Sequence, residues 1–228
     1  MTGTIHVARH GLWLLVAWAV LLLLATLTHQ PDYKSHFADW SRYVTSAEFL
    51  TSHLAGSIAG AGLGALGFMA LSLVLASHGA LRLSTWALAA AVLGDVAIVA
   101  VFGVGAFAQP AIGRAYLSGD HQVAALYDDV NGTPLFATAG AGVLLLSAGL
   151  VLYGVGVLRT RLVARPAGWA LIIGGPLFAI VGVVLADIVQ SVGAGLLLAG
   201  TTVIALRASV GSQDAARGVS RTPSGADR

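Results

Sequence analysis

Residues 85–108 read TWALAAAVLGDVAIVAVFGVGAFA and contain no charged residue except Asp95. A helix rises about 1.5 Å per residue, so this stretch is long enough to cross a hydrocarbon core of about 30 Å. Apolar sequence of this length, without the regular polar positions of a water-facing helix or strand, is typical of a transmembrane helix. The stretch therefore predicts that lipid surrounds this part of the chain.

Comparable apolar runs lie on both sides of it. Together they predict an all-α bundle of six transmembrane helices at 11–28, 54–76, 85–108, 134–158, 167–186 and 188–206. The last two runs are separated only by Asp187, and a single helix of their combined length would be about twice as long as the bilayer is thick. We therefore expect a tight reversal at 187–190. Pro176 predicts a kink in the fifth helix.

The domain organisation follows from these runs. Residues 1–207 form the transmembrane domain, and 208–228, rich in Ser, Gly, Ala and Arg, form a disordered cytoplasmic tail. The first run extends to Leu27 with no small-x-small cleavage site before His29, so an uncleaved helix is favoured over a signal peptide. Of the whole chain, 57% is hydrophobic and 10% is charged, whereas about 25% is charged in an ordinary soluble domain.

Charged residues predict the orientation, because loops that stay in the cytoplasm carry an excess of Lys and Arg. With both chain ends in the cytoplasm, the outer loops hold Lys34, Arg42 and Arg114 as their only Lys or Arg. The cytoplasmic segments then hold Arg9, Arg82, Arg159, Arg161, Arg165, Arg207, Arg217, Arg221 and Arg228. Arginines at helix ends contact anionic lipid headgroups. We therefore expect membrane lipids as partners and no nucleic acid.

Two groups of aromatic residues predict contacts at the membrane boundary. Amphipathic rings favour the headgroup level, and such rings lie at or towards the ends of the predicted helices at Trp13, Trp18, Trp86, Trp169 and Tyr153. A second group forms one apolar stripe at helical spacing, opposite a polar face: Tyr33, Phe37, Trp40 and Val44. This stripe predicts a short amphipathic helix on the outer membrane surface, in the first outer loop.

Asp95 is the strongest candidate for a functional residue. It lies near the middle of a predicted span, where an acid costs about 2.5 to 3.5 kcal/mol on insertion scales. No Lys, Arg or His lies at the same depth on another predicted helix, so we expect the carboxyl to be neutral, with Ser147 as its hydrogen-bond partner. Asp95 then either binds a proton or cation or joins two helices structurally.

Three glycines in the second span recur every four residues: Gly56, Gly60 and Gly64. Small residues at this spacing form a groove that lets another helix backbone approach closely. The groove predicts either close packing inside the bundle or the face of a homodimer.

Histidine and carboxylate side chains of the predicted outer loops form a candidate metal site. Imidazole and carboxylate together bind zinc or copper. The candidates are His29, Asp32, His36, Asp39, His53, Asp120 and His121. Their spacing matches no metal signature, so ordinary solvated loop residues are the alternative. Histidines at helix ends are also candidate haem ligands, although they lie too near the membrane surfaces to bind a buried haem.

Residues 153–159, YGVGVLR, followed by 165–169, RPAGW, and by Gly174 and Gly175, form a recognisable pattern. It resembles one common among small six-helix bacterial membrane proteins that have no established activity. The resemblance implies the helix count and transfers no site residues. The bias towards Ala, Gly, Val and Arg also suggests a bacterial chain, and hence a multi-pass protein of the plasma membrane.

Function is less well determined by the sequence. Hydrolase and nucleotide-binding motifs are missing and there are no cysteines, so we expect no catalytic residues and no cofactor. A non-enzymatic scaffold or accessory subunit of a larger membrane complex is favoured. One alternative is a small proton- or cation-coupled transporter that uses Asp95. Another is a metal- or haem-binding redox subunit, which leaves enzymatic activity open.

Overall fold

The computed structural model describes residues 2–27, 30–181 and 187–219, and these are all-helical, with no strand. In chain order the α-helices are α1 (Thr2–Ala25), α2 (Phe37–Val44), α3 (Ala47–Thr51), α4 (Gly60–Ser77), α5 (Leu81–Leu117), α6 (Ala124–Val130), α7 (Thr133–Thr160), α8 (Arg165–Pro176) and α9 (Asp187–Val219). Two segments are π-helical, and we name them π1 (Ser52–Ala59) and π2 (Leu177–Val181). A 3-10 turn spans His121–Val123.

Five helical stretches of the described chain are long and apolar enough to cross a membrane: Gly3–Ala25, Ala47–Ser77, Leu81–Leu117, Thr133–Thr160 and Ile188–Ala208. The predicted span 167–186 corresponds to a shorter apolar helix, Arg165–Val181. Residues 182–186, the last part of that span, lie outside the described residues. The chain therefore contains an apolar helical bundle of transmembrane character.

Glycine ends both α4 and α5 by the same mechanism. Gly79 has a φ of 86° and Gly119 a φ of 104°, a left-handed conformation that side chains with a Cβ rarely adopt. After α4, the amide of Ala80 donates to the carbonyl of Leu75 (3.0 Å) and that of Gly79 donates to Ala76 (3.1 Å). This Schellman pattern satisfies the last carbonyls of the helix and turns the chain back towards the bundle.

Residues 187–190, where the reversal is predicted, belong to α9 and do not form a turn. Helices α8 and α9 pack antiparallel, because Gly193 lies against Phe178 while Gly200 lies against Ala170. Helix α9 continues to Val219, past the predicted end of the transmembrane domain at residue 207. Residues 220–228 of the predicted tail lie outside the described residues.

The face formed by Gly56, Gly60 and Gly64 packs against α1 of the same chain. A Cβ added at Gly64 would lie 2.7 Å from Cδ1 of Trp18, and one at Gly60 would lie 3.4 Å from Leu21. Gly67 continues the same groove against Leu15. A homodimer through this face would have to displace α1.

Two of the aromatic residues predicted at the membrane boundary are instead buried in the core. Trp18 packs edge-on against Phe68, with ring centroids 5.1 Å apart. The hydroxyl of Tyr153 donates to the carbonyl of Phe68 (2.9 Å) and is hydrogen-bonded to Ser72 (2.7 Å). These bonds tie α7 to α4 at a buried site.

Helix α2 exists as predicted, but its apolar stripe faces protein. Helix α5 has 37 residues, about 55 Å in length, so one end extends well past a hydrocarbon core. Trp40, Val44, Phe49 and Ile112 form a buried cluster against that end, with Tyr33, Phe37, Tyr43, Val123, Tyr127 and Val130 packed around them. We call this cluster the aromatic cap. Because the apolar side chains of the cap bury one another, the apolar stripe of α2 does not need a membrane surface to cover it.

Gly64→Ala should lower the free energy of unfolding of the purified protein in detergent by roughly 1 to 3 kcal/mol, because the new methyl group collides with the rigid indole of Trp18. Gly62→Ala is the matched control: no atom lies within 4 Å of its added Cβ, so it should be neutral or stabilise the helix by up to about 1 kcal/mol. Equal effects of the two substitutions would contradict the packing of this groove against α1.

Trp40→Ala should open the aromatic cap, because Trp40 is 0% exposed and removing a buried indole costs about 3 to 5 kcal/mol. Hydrogen exchange should accelerate in α2, α3 and α6 more than in α7. Trp86→Ala serves as the control, since Trp86 is 69% exposed and should leave exchange in the cap unchanged. Uniform acceleration through the bundle would show that the cap is not a separate packing unit.

Candidate functional site

Asp95 points into the bundle interior and is 5% exposed. Its neighbour Gly94 fixes this orientation, because a Cβ there would lie 2.8 Å from the carbonyl oxygen of Gly142 on α7. One turn before Gly94 in α5, the amide nitrogen of Ala91 would lie 2.6 Å from a Cβ added at Gly149 of α7. Helices whose backbones are in such close contact cannot rotate about their axes without a steric clash. The rotation of α5 is therefore set, and the acid cannot face lipid.

Asp95 lines a cavity of about 90 Å³ inside the bundle. Its walls come from α1, π1, α4, α5, α7, π2 and the start of α9. The described lining residues are Trp18, Leu22, Ser57, Ala61, Asp95, Ile98, Phe102, Val143, Leu146, Phe178, Ala179 and Gln190. No Lys, Arg or His is among them, so within this lining the acid has no counter-ion. Only Ser57, Gln190 and the indole of Trp18 add polar groups.

The predicted hydrogen bond between Asp95 and Ser147 is absent. Within the described residues, Oδ2 of Asp95 and Oγ of Ser147 are both buried without a hydrogen-bond partner. Ser147 is not among the described residues that line the cavity, and Oδ2 of Asp95 has no fixed hydrogen-bond partner there.

A second cavity, of about 140 Å³, adjoins the first on the side of the aromatic cap. It shares five lining residues with the first: Leu22, Ser57, Phe102, Phe178 and Gln190. Beyond them it is lined by Ala25, Thr26, Ser52 and His53. The space around Asp95 therefore adjoins a partly polar space nearer that end of the bundle.

His53 is the titratable residue of the second cavity. Its Nδ1 donates to the carbonyl of Phe49 (3.0 Å), and its ring stacks on that of Phe49 with centroids 4.0 Å apart. The ring also packs against Gly105 of α5, where an added Cβ would lie 3.2 Å from Nε2. These contacts hold the imidazole between α3 and α5.

Both π-helical segments border the two cavities. Ser57 of π1 and Phe178 of π2 each line both spaces. Pro176, where a kink is predicted, immediately precedes π2, and proline cannot donate the backbone hydrogen bond that a regular helix needs there. Single π turns within α-helices are frequent at functional sites. Both π-helical segments of the described chain thus contribute to the lining of the Asp95 cavity.

The candidate metal ligands are engaged in separate local contacts. Asp32 accepts from the hydroxyl of Ser35 (2.6 Å), and this bond, with the amide of Lys34, holds the pKa of Asp32 below its usual range. Asp39 pairs with Arg42 at 2.6 Å. His29 lies outside the described residues. The described residues contain no group of three or more His, Asp or Glu placed to hold a metal ion.

The remaining candidates also make local contacts. The Nδ1 of His36 lies 2.8 Å from the hydroxyl of Ser35. Asp120 accepts from the amide of Gln122 (3.2 Å) and caps the 3-10 turn. The ring of His121 packs against that of Tyr116 with centroids 4.6 Å apart. Their placement is explained by turn and cap structure.

Sequence reasoning did not assign Ser57, Gln190, Phe102 or Phe178 to a site. Serine and phenylalanine are common in apolar spans and give no signal by themselves. Gln190 does give one, because an amide side chain near the start of an apolar run is costly in lipid unless it finds a partner or a polar space.

Comparison with known proteins gives no relative for this chain. No protein-family model, no curated protein and no solved structure matches it. The function must therefore be argued from the chemistry of the Asp95 cavity.

Proposed function

We propose that this protein is a small multi-pass membrane transporter that binds a proton or a cation at Asp95. The observation that supports this is the unpartnered, buried carboxylate oxygen of Asp95 inside a cavity of the bundle. A structural acid that joined two helices would use its oxygens in hydrogen bonds between them. An acid kept within apolar sequence without such a partner, and facing free space, is suited to exchange an ion or proton.

The adjoining cavity supports a route to this site. His53, Ser52 and Thr26 line it on the side of the aromatic cap, and the two π segments lie where the cavities meet. Irregular helices next to a buried site supply backbone groups that rearrange at low cost, as discontinuous helices do in secondary transporters. Access from the cap side therefore needs small movements of Phe102 and Phe178 rather than opening of the whole bundle.

In this proposal the chain crosses the bacterial plasma membrane six times, with Arg165–Val181 as part of the fifth span. One end of the bundle is rich in acids and the other is rich in arginines, as this orientation requires. Acids cluster around the aromatic cap at Asp32, Asp39, Glu48, Asp120, Asp128 and Asp129, whereas the opposite end carries Arg9, Arg82, Arg159, Arg161, Arg165 and Arg207. The positive-inside rule then puts both chain termini in the cytoplasm and the second cavity towards the outside.

Transport explains the interior better than the other functions considered. A scaffold or accessory subunit has no need of a buried acid beside a cavity. A metal- or haem-dependent redox subunit requires converging ligands, whereas the described candidate ligands are held in separate turns and caps.

Asp95→Asn should abolish the transient charge displacement that the reconstituted wild type gives on a solid-supported membrane after a step in pH or cation concentration. Such a current records entry of a proton or cation even when full turnover needs a second substrate. We expect a reduction of at least tenfold, because asparagine keeps the shape of the side chain and removes its ionisable group.

Asp39→Asn is the matched control, since it removes an exposed carboxylate that pairs with Arg42 outside the cavities. It should retain the wild-type current. Both variants should elute as the wild type does in size-exclusion chromatography, which separates loss of binding from loss of fold. A current that is equal in the wild type and Asp95→Asn, or absent from both, would refute the proposed function.

A further inference from the structure

We propose that the cation bound at Asp95 is a small alkylammonium ion rather than a metal ion, with its charged head at the carboxylate and its alkyl chain between Phe102 and Phe178. This inference rests on the proposed function and names the class of ligand for the same site. It is argued from the walls, the size and the charge balance of the two cavities.

The cavity offers few oxygen ligands for a metal ion. Its described side chains provide one carboxylate, from Asp95, one amide oxygen, from Gln190, and one hydroxyl, from Ser57. Calcium takes about six to eight oxygen ligands and magnesium about six in near-ideal octahedral geometry. The ammonium head of a primary amine, by contrast, has three donors, and the oxygens of these three side chains are enough to accept them.

The rest of the wall is suited to hydrocarbon and to a cation. Leu22, Ile98, Val143 and Leu146 provide aliphatic surface, and three aromatic rings belong to Trp18, Phe102 and Phe178. Aromatic faces attract a desolvated ammonium ion through the cation–π interaction. A bare metal ion would gain little from such walls and would lose most of its hydration.

The volumes limit the size of the ligand. An apolar cavity of about 150 Å³ holds benzene, so by proportion the first cavity holds about four non-hydrogen atoms. The second cavity is larger, about 140 Å³, and it begins at Phe102 and Phe178, which belong to both linings. A primary amine with a chain of about four carbons therefore fits, with its head in the first cavity and its tail reaching the second.

Charge balance makes ammonium and proton alternatives at this site. One carboxylate without a second acid in the described lining neutralises one positive charge, so a proton and an ammonium ion cannot both be held there. His53 is the one other titratable group in the described lining of the two cavities. Exchange of a proton for an ammonium ion on Asp95 would couple movement of the two, which is the simplest form of the proposed transport.

The test is equilibrium binding of n-butylammonium to the full-length protein in detergent, by isothermal titration calorimetry at fixed ionic strength. We expect binding to the wild type, at least tenfold weaker binding of uncharged n-butanol, and no measurable binding of sodium or magnesium at the same concentrations. Asp95→Asn should weaken n-butylammonium binding at least tenfold, whereas Asp39→Asn should not.

Phe102→Leu distinguishes the alkyl contact from the charge contact. This variant keeps an apolar side chain, so it should fold, and it should weaken binding of n-butylammonium several-fold more than binding of ethylammonium, whose shorter chain makes less contact with the ring. Binding of sodium or magnesium in preference to n-butylammonium, or equal affinity of wild type and Asp95→Asn for the amine, overturns this inference. A pH-step current that depends on Asp95 without any amine binding also overturns it, although the proposed function would stand.

Discussion

Close contact between helix backbones is the constraint on which the rest of this structure depends. In lipid, apolar burial does not draw helices together, so association depends on packing surfaces that fit closely. Glycine provides that fit at Gly64 against Trp18, at Gly94 and Gly149 between α5 and α7, and at Gly193 against Phe178. Because these contacts leave no room for a Cβ, they fix the rotation of each helix, and rotation decides which side chains face the interior.

The cavity around Asp95 lies where this close packing is interrupted. Segments π1 and π2 replace regular α-helix on two sides of it, and Ser57 of π1 and Phe178 of π2 form part of its lining. The interior near the opposite end is solid, with Leu71, Leu75 and Leu150 almost fully buried. The bundle thus combines a rigid end with an end where backbone irregularity, polar side chains and free space occur together.

Composition and run length were enough to predict an all-helical apolar bundle, because lipid as a solvent demands long unbroken apolar helices. They also gave the depth of Asp95. They did not predict which face a residue occupies, since depth along a helix says nothing about rotation. Trp18 and Tyr153 belong to the core for that reason, although their positions near predicted helix ends suggested the membrane boundary. Pro176 predicted an irregularity where π2 begins, whereas π1 had no sequence signature.

The aromatic cap is a second case in which a sequence pattern predicts a helix but not the surface against which it packs. The stripe through Phe37 and Trp40 correctly indicates an amphipathic helix, but a stripe reports only that something apolar covers it. Helix α5 extends beyond the length needed to cross a bilayer and supplies that cover through Ile112. The cap in turn holds α2 and α3 at the end of α5, next to His53. Phe49 of the cap packs against His53, which lines the second cavity, so the cap borders that cavity.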